Sequence, residues 1–327
     1  MKNKILDLRD CKPSLSIIVL CIVPILMGLT ATRLNATEGS ASVYPIGVET
    51  VLPGMAPPPG VTMFEEFNTT YQAHGLLGAN GQSVVPGFKL GVYAFAPKFV
   101  RNWGVHVLGG DLVSAFAIPL VTEHLTVPGF SGTKTGFGNP ELGVAYIAYT
   151  RGDWHGWYGL DVYTPGLEYH RGDVINIGQH NFATVPVGAF TYLPRHGKAE
   201  LSSRFQYVIN YTDPATHYRS GAEFTWEYVG MANITKKLAV GANGYLYQQA
   251  TNDLQNGVIY ADGNKGRDFT IGPEIRYHLG HVVLIAKYQR DSWVQNRPCG
   301  SALWIEFAVP FSHPHPTLES QRSSRLN

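Results

Sequence analysis

The sequence has little charge, few cysteines and only one long apolar run. Charged residues make up 15% of its 327 residues, well below the quarter that is usual in soluble domains. The net charge is +1, so no basic field points to nucleic acid as a partner. A mean hydropathy of -0.06 excludes a bundle of membrane-spanning helices, which would be far more apolar.

The three cysteines form neither a disulfide framework nor a metal-binding motif. Cys11 and Cys21 belong to the N-terminal leader, which leaves Cys299 alone in the rest of the chain. No CxxC pair is present, although a zinc site or a disulfide-rich domain depends on paired spacing of this kind. The sequence therefore predicts no metal site and no cofactor.

Residues 1–36 have the organisation of a secretory signal peptide. Four basic residues precede an apolar run from Leu15 to Leu29, and small residues follow it. A single anchoring helix is the alternative, but the run is short for a bilayer and Pro24 interrupts it. Cleavage near Ala31 or Ala36 is expected. Loss of residues 1–36 removes five basic and two acidic residues, which leaves a mature net charge of about −2.

The rest of the chain is rich in aromatic residues and glycine, arranged in period-two patterns. Aromatics are 12% of the chain, with 36 Gly and 18 Tyr. In HYRSGAEFTWEYVG (217–230), the large aromatic residues fall on one face, and Glu223 and Glu227 fall on the other. In SALWIEFAVPF, every second residue from Leu303 to Phe311 is large and apolar. Strict alternation of this kind is typical of β-strands with two different faces.

This pattern predicts about twelve strands between residues 61 and 311. They lie near 61–74, 85–97, 103–121, 138–151, 154–165, 182–194, 199–212, 217–231, 237–250, 267–279, 281–291 and 301–311. Most have ten residues or more, and a tilted strand needs roughly 9–11 residues to cross a bilayer. The predicted fold class is all-β, a transmembrane antiparallel β-barrel of about twelve strands. A soluble sandwich of two stacked sheets is the alternative.

The connections favour the barrel, because short and long ones alternate along the chain. Short ones lie at 152–153, 194–198, 235–237 and near 280, and long ones at 75–84, 122–137, 166–181, 251–266 and 292–300. The short outer connection at 213–216 is the exception. Bacterial outer-membrane barrels have short periplasmic turns and long outer loops. A structure that spans a bilayer must satisfy its backbone internally, so the last strand is expected to pair with the first.

Two segments fall outside this pattern. Residues 37–60 carry Pro53, Pro57, Pro58 and Pro59, and this proline content excludes a regular strand. We expect either a periplasmic lead-in or a plug that enters the barrel. Residues 312–327 are polar and are expected to form a disordered tail.

Several motifs resemble one family of outer-membrane proteins. They are YPIGVETVLPGMAPPPGV (44–61), GFGNPELG (136–143), AELSSRFQYVINYTDPATHYRSGAEFTWEY (199–228), GYLYQQATND (244–253) and IGPEIRY (271–277). The chain is similar through them, from about Tyr44 to Phe311, to the SphA-like family described as involved in the meta-pathway of phenol degradation. This resemblance implies an outer-membrane transporter linked to aromatic or hydrophobic compounds, and it carries no catalytic residues.

Polar residues on the inner face of the predicted strands are the candidate site. Those predicted to line the lumen and contact a solute are Glu200, Arg204, Asn210, Arg219, Glu223, Glu227, Asn243, Tyr245, Glu274 and Arg276. One interpretation is a polar conduit that orients a solute. The other is a network of paired charges that fills a narrow barrel, with both signs present in similar numbers.

Aromatic side chains on the opposite row are expected to face lipid. They are Tyr146, Tyr158, Phe190, Tyr192, Phe205, Tyr207, Tyr211, Tyr218, Phe224, Trp226, Tyr228 and Tyr277. Rings near strand ends are typical of the interfacial girdles of such barrels. An aromatic-binding pocket is the alternative.

No motif predicts an enzyme. The chain has 12 His but no GxSxG, HExxH or closely spaced acid cluster. GFGNPELG is not followed by the helix and the Lys-Ser/Thr pair that a phosphate loop needs, so it predicts a tight turn. Some outer-membrane phospholipases use a Ser–His pair on the barrel wall, and this possibility stays open.

The predicted function is passive uptake of small hydrophobic or aromatic compounds through the bacterial outer membrane. The expected partners are outer-membrane lipid, the barrel assembly machinery and the solute. The alternatives are a structural or adhesive barrel with a blocked lumen and a barrel lipid hydrolase.

Overall fold

The computed structural model describes residues 42–311, and its regular structure is almost entirely β-strand. The strands are β1 (Thr62–Leu77), β2 (Lys89–Val107), β3 (Gly110–Ala117), β4 (Leu120–Val127), β5 (Phe130–Phe137), β6 (Glu141–Arg151), β7 (Trp154–Tyr163), β8 (Ala183–Tyr192), β9 (Ala199–Asn210), β10 (Tyr218–Arg219), β11 (Glu223–Asn233), β12 (Leu238–Gln249), β13 (Leu254–Gln255), β14 (Val258–Ile259), β15 (Arg267–Leu279), β16 (Val282–Gln295) and β17 (Arg297–Pro310). One helical turn, α1 (Pro194–Gly197), joins β8 to β9. The predicted signal peptide and tail lie outside the described residues. Within 42–311, no helix is long and apolar enough to cross a membrane.

The main sheet closes on itself. β1 pairs with β17 on one side and with β2 on the other, and every pairing is antiparallel. β3 and β4 pair with successive parts of β2, so together they occupy one position in the wall. β5 and β6 occupy the next position in the same way. The closed sheet therefore has twelve wall positions, and the prediction of a twelve-stranded antiparallel barrel is confirmed.

The two ends of the barrel differ in the length of their connections. The short-turn end has connections at 108–109, 152–153, 193–198, 234–237 and 280–281, and β1 begins and β17 ends at this same end. The long-loop end has connections at 78–88, 164–182, 211–222 and 250–266. The last two hold β10, β13 and β14, which form a small separate sheet. This asymmetry is the one that outer-membrane barrels show.

Three predicted connections are strands in the structure. Residues 98–102 lie within β2, which runs on to Val107 and turns at 108–109. Residues 122–137 form most of the β4–β5 hairpin, and 292–300 belong to β16 and β17, with only Asn296 between them. The pairing of β2 shifts register between Asn102 and His106, and such a bulge breaks the alternation that marks a strand in a sequence.

The outward row of the barrel is apolar and exposed, as expected of a surface wetted by lipid. On β17, Leu303 is 50% exposed and Ile305 is 51% exposed, whereas Trp304 and Glu306 between them are buried. Trp226, which a two-sheet sandwich would bury, is 37% exposed. The soluble sandwich is therefore wrong for this chain.

Two aromatic residues that were predicted to face lipid do not. A bulge between Gly143 and Ala145 reverses the alternation of β6, so Tyr146 faces inward and its hydroxyl donates a hydrogen bond to Asp161. Tyr218 lies on β10, outside the wall, where its hydroxyl bonds to Asp253 at 2.5 Å. A single-residue insertion in one strand is enough to exchange its two faces.

Candidate functional site in the barrel interior

Residues 42–60, here called the inner segment, run through the barrel interior. Its one charged residue is Glu49, whose carboxylate pairs with the ammonium of Lys98 on β2 and with Arg204 Nε on β9, the latter at 3.3 Å. Proline and glycine keep the segment out of the sheet, so its backbone groups need partners from the wall. These contacts hold residues 42–60 against inward-facing side chains of the wall.

The wall supplies those partners from several strands. Glu227 on β11 accepts hydrogen bonds from the Tyr44 hydroxyl at 2.9 Å and from the Gly47 amide at 2.5 Å. Glu200 on β9 accepts one from the Leu52 amide at 3.0 Å. The carboxylates thus act as acceptors for a segment that has no secondary structure of its own.

Cationic and amide side chains of the wall bind the carbonyl oxygens of the same segment. Lys287 Nζ donates to Val48 O at 2.6 Å, and Gln289 Nε2 donates to Gly47 O at 3.0 Å. Nearer the short-turn end, Asn102 Nδ2 donates to the carbonyl oxygen of Pro57 at 2.8 Å. The contacts come from β2, β9, β11 and β16, so the inner segment crosses the interior instead of following one strand.

Two glycines allow the close approach. Gly47 has φ +90°, and a Cβ there would lie 2.5 Å from Gln289 Oε1. A Cβ on Gly54 would lie 2.3 Å from the backbone nitrogen of Thr191, and the Gly54 amide donates to the Thr191 hydroxyl at 3.0 Å. Real side chains do not come so near to backbone atoms, which excludes a Cβ at Gly54, and the positive φ of Gly47 is a conformation that favours glycine.

Nine of the ten residues predicted to line the lumen are buried inside the barrel. They are Glu200, Arg204, Asn210, Glu223, Glu227, Asn243, Tyr245, Glu274 and Arg276. The tenth, Arg219, is misplaced by the sequence prediction, because it is exposed on β10 in the small sheet of the long-loop end. Its segment, predicted as the start of a wall strand, belongs to the loop before β11.

Ion pairs join parts of the wall that are not neighbours in the sheet. Arg276 Nη1 on β15 donates to Glu200 Oε2 on β9 at 2.5 Å, although β11 and β12 lie between these strands. Arg204 Nη2 lies 3.3 Å from Asp161 Oδ2 on β7. Such pairs are costly to separate once they are buried, because each partner would be left without a counter-charge.

The ten predicted site residues omit seven charged residues of this interior. They are Lys98, Glu141, Asp161, Asp268, Glu306, Lys287 and Asp291. The sequence did contain a signal for Lys287 and Asp291, because Lys287, Gln289 and Asp291 are polar residues at every second position of β16. Lys98 lay in a predicted connection. For Glu141, the bulge in β6 made it impossible to tell from the sequence which residues of that strand face inward.

These additions change the charge balance of the interior. On the inward row of the wall strands, nine buried carboxylates face four buried cations. The expectation that the two signs occur in similar numbers is therefore wrong. The carboxylates are Glu141, Asp161, Glu200, Glu223, Glu227, Asp268, Glu274, Asp291 and Glu306, and the cations are Lys98, Arg204, Arg276 and Lys287.

The long-loop end combines an apolar cluster with polar loop contacts. Ile175 and Ile177, from the connection 164–182, are buried against Phe88 and Leu125. In the connection 250–266, burial raises the pKa of the Asp253 carboxyl above its ordinary value, an effect opposed by its hydrogen bonds. Within residues 42–311, no group of three metal-ligating side chains forms a metal site.

The comparisons with known proteins agree with this architecture. Residues 74–307 match the model of the family described as "Putative MetA-pathway of phenol degradation", which covers well over half of the chain. The chain belongs to this family. No curated protein matches the sequence. The resemblance seen in the sequence motifs is therefore confirmed at the level of the family.

Among solved structures, one outer-membrane channel has the same fold as this member of the phenol-degradation family. The COG4313 outer membrane channel from Pseudomonas putida F1 has a TM-score of 0.66 and 14% identity, over 78% of this chain and 97% of that one. A FadL homologue from Pseudomonas aeruginosa has a TM-score of 0.35 and 9% identity, over 77% and 89% of the two chains. The first similarity shows that the chain has the fold of an outer-membrane barrel.

Proposed function

We propose that this protein is a gated outer-membrane channel for passive entry of small solutes, aromatic compounds among them. The observation that carries the proposal is the inner segment, which occupies the interior and is held there mainly by polar contacts. Polar contacts of this kind can be exchanged for water when the segment moves. Opening therefore requires displacement of residues 42–60, not a change in the wall.

The aromatic substrate class is supported by two features. The family description refers to phenol degradation. The long-loop end also holds the apolar cluster around Ile175 and Ile177, next to Phe88 and Leu125. Apolar and aromatic side chains at the mouth of a barrel are suited to binding a flat, weakly polar ring before it enters the interior.

The test compares the full-length protein with a variant in which the inner segment cannot seat. In Gly54→Val, the new side chain meets the backbone at Thr191 and Phe190, so the segment is expected to leave the wall. Gly91→Ala is the matched control, because a Cβ at Gly91 meets nothing within 4 Å. The measurements are conductance in planar bilayers and swelling of liposomes in phenyl glucoside and methyl glucoside.

We expect low conductance for the wild type and for Gly91→Ala, and a clear increase for Gly54→Val. Faster entry of phenyl glucoside than of the smaller methyl glucoside supports an aromatic preference, and equal or slower entry contradicts that part alone. A structural barrel with a blocked lumen is the second candidate, because the interior is filled. The blocked barrel is favoured if Gly54→Val folds and its inner segment becomes accessible to protease, but the variant gives neither conductance nor liposome swelling.

A further inference from the structure

The excess of carboxylates in the barrel interior is concentrated at the long-loop end. The four buried cations of the inward row all have contacts with carboxylates elsewhere: Lys98 with Glu49 and Glu141, Arg204 with Glu49 and Asp161, Arg276 with Glu200, and Lys287 with Glu306. None of these carboxylates is Glu223, Asp268 or Asp291. None of the four cations therefore forms an ion pair with any of these three acids.

Glu223, Asp268 and Asp291, together with Tyr245 and Tyr247, are here called the vestibule. β11 begins at Glu223, β15 begins one residue before Asp268, and Asp291 lies near the end of β16, so all three acids are close to the long loops. The Tyr245 hydroxyl lies 2.9 Å from Asp268 Oδ2 and 3.5 Å from Asp291 Oδ1. One hydroxyl thus contacts both carboxylates, which places them side by side.

Two oxygens of the vestibule have unused capacity. Glu223 Oε2 and Asp268 Oδ1 are buried and accept no hydrogen bond of normal geometry, although the side chains of Ser42 and Tyr247 interact with the Glu223 carboxylate and the Phe269 amide interacts with that of Asp268. The other oxygen of Glu223 accepts one from Asn210 Nδ2 at 2.8 Å. Both residues are less than 4% exposed. A buried carboxylate oxygen without a donor is unfavourable, and a cation or an ammonium group would supply what is missing.

The vestibule already holds one tethered cation. The guanidinium carbon of Arg297 lies 4.1 Å from the centre of the Tyr247 ring, and the charge interacts with Asp268 and Glu223. Tyrosine rings combined with carboxylates are the chemistry that recognises guanidinium and organic ammonium groups. Arg297 therefore shows, within the protein itself, what kind of group the vestibule accommodates.

We propose that the channel selects small cations, organic ammonium compounds included, over anions, and that the vestibule is where they are recognised. This inference rests on the proposed function, because selectivity requires a conducting state. A conduit in which one sign of charge predominates concentrates the opposite ion, and rings of Asp and Glu side chains are how cation channels exclude anions. Neutral aromatic solutes would be unaffected by this selection.

The test measures reversal potentials of full-length Gly54→Val, which frees the interior and leaves every charged side chain of the wall in place. Gradients of potassium chloride and of tetramethylammonium chloride are applied across a planar bilayer. We expect cation selectivity in both salts. Adding Glu223→Gln, Asp268→Asn and Asp291→Asn should lower the cation-to-chloride permeability ratio at least about threefold, whereas adding Asp262→Asn, an exposed acid of the same end, should not change it.

Arg297→Met gives an independent test with the opposite sign, because removing the tethered cation should raise the permeability ratio. If the triple variant does not fold, the permeability ratio of Arg297→Met alone tests the inference. Reversal potentials near zero or of anionic sign in Gly54→Val, or an unchanged ratio in both the triple variant and Arg297→Met, overturn the inference and leave the proposed channel intact. Absence of conductance in Gly54→Val overturns both.

Discussion

Arg276 on β15 and Glu200 on β9 form an ion pair with 2.5 Å between Nη1 and Oε2, although two strands separate them in the sheet. Glu200 also accepts a hydrogen bond from the Leu52 amide of the inner segment. The pair therefore links two parts of the wall and the segment that fills the interior. The carboxylate of Glu200 thus joins two separate parts of the barrel wall to the inner segment.

We predict that Arg276→Met destabilises the barrel by about 3–5 kcal/mol, because it leaves Glu200 buried without its counter-charge. The measurement is urea unfolding of the reconstituted protein, followed by the heat-modifiable band on a detergent gel. Adding Glu200→Gln to Arg276→Met should recover part of the loss. Arg151→Met, at an exposed position of β6, is the control and should change the midpoint little. A double variant as unstable as the sum of the two single ones would contradict this account.

The charge of the inner segment offers a second prediction. Glu49→Lys places an ammonium beside Lys98 and Arg204, the two cations that now hold the segment, and repulsion should expel it. Conductance should rise well above that of the wild type, and Glu49→Gln should fall between the two. Proteinase K should also cut the inner segment of Glu49→Lys faster than that of the wild type in intact liposomes. If conductance and cleavage both stay at wild-type levels, electrostatic retention of the segment is refuted.

A third prediction concerns the loops. The Asp253 carboxylate accepts hydrogen bonds from the Tyr218 hydroxyl, the Gly221 amide and the side chain of Gln249. Asp253→Asn replaces one accepting oxygen by an NH₂ group, so part of this set is lost and the small sheet should loosen. Limited proteolysis of outer loops is expected to be faster. Asp262→Asn removes a carboxylate at an exposed position of the same connection and should be cut at the wild-type rate.

A fourth prediction tests the lipid-facing row. Ile305 lies near the middle of β17. Ile305→Arg should lower the free energy of unfolding by about 2–4 kcal/mol, whereas arginine near a strand end should lower it by only about 0–1 kcal/mol. Leu279→Arg, at the last residue of β15, is the matched comparison, since both side chains are more than half exposed. If urea unfolding shows the same loss of stability for both variants, Ile305 does not lie near the middle of the bilayer.

Much of the wall could be predicted from residue order alone. The alternation in β9, β11 and β17 assigned Glu200, Glu227 and the apolar row of Leu303 to their correct faces, because a strand inside a closed barrel has only two environments. The prediction failed where one residue was added to a strand. The bulge at Gly143 turned Tyr146 inward, and no compositional signal distinguishes such an insertion from ordinary alternation.

The position of the inner segment could not be predicted from the sequence, for a different reason. Its prolines showed that residues 37–60 were not a strand, but a proline-rich segment outside the barrel would look the same. What places residues 42–60 inside is the complementarity of their amides and carbonyls to Glu227, Glu200 and Lys287, and those side chains come from strands far apart in the chain.

The sequence by itself determined the family, the fold class and the apolar outer surface, since each follows from motifs and from patterns that repeat within a single strand. Only the tertiary structure decided that the interior is filled, that its charge is predominantly acidic and that Arg219 is not part of it. The physical reason is that charge balance and occupancy are sums over all twelve wall positions, so they exist only once the sheet has closed.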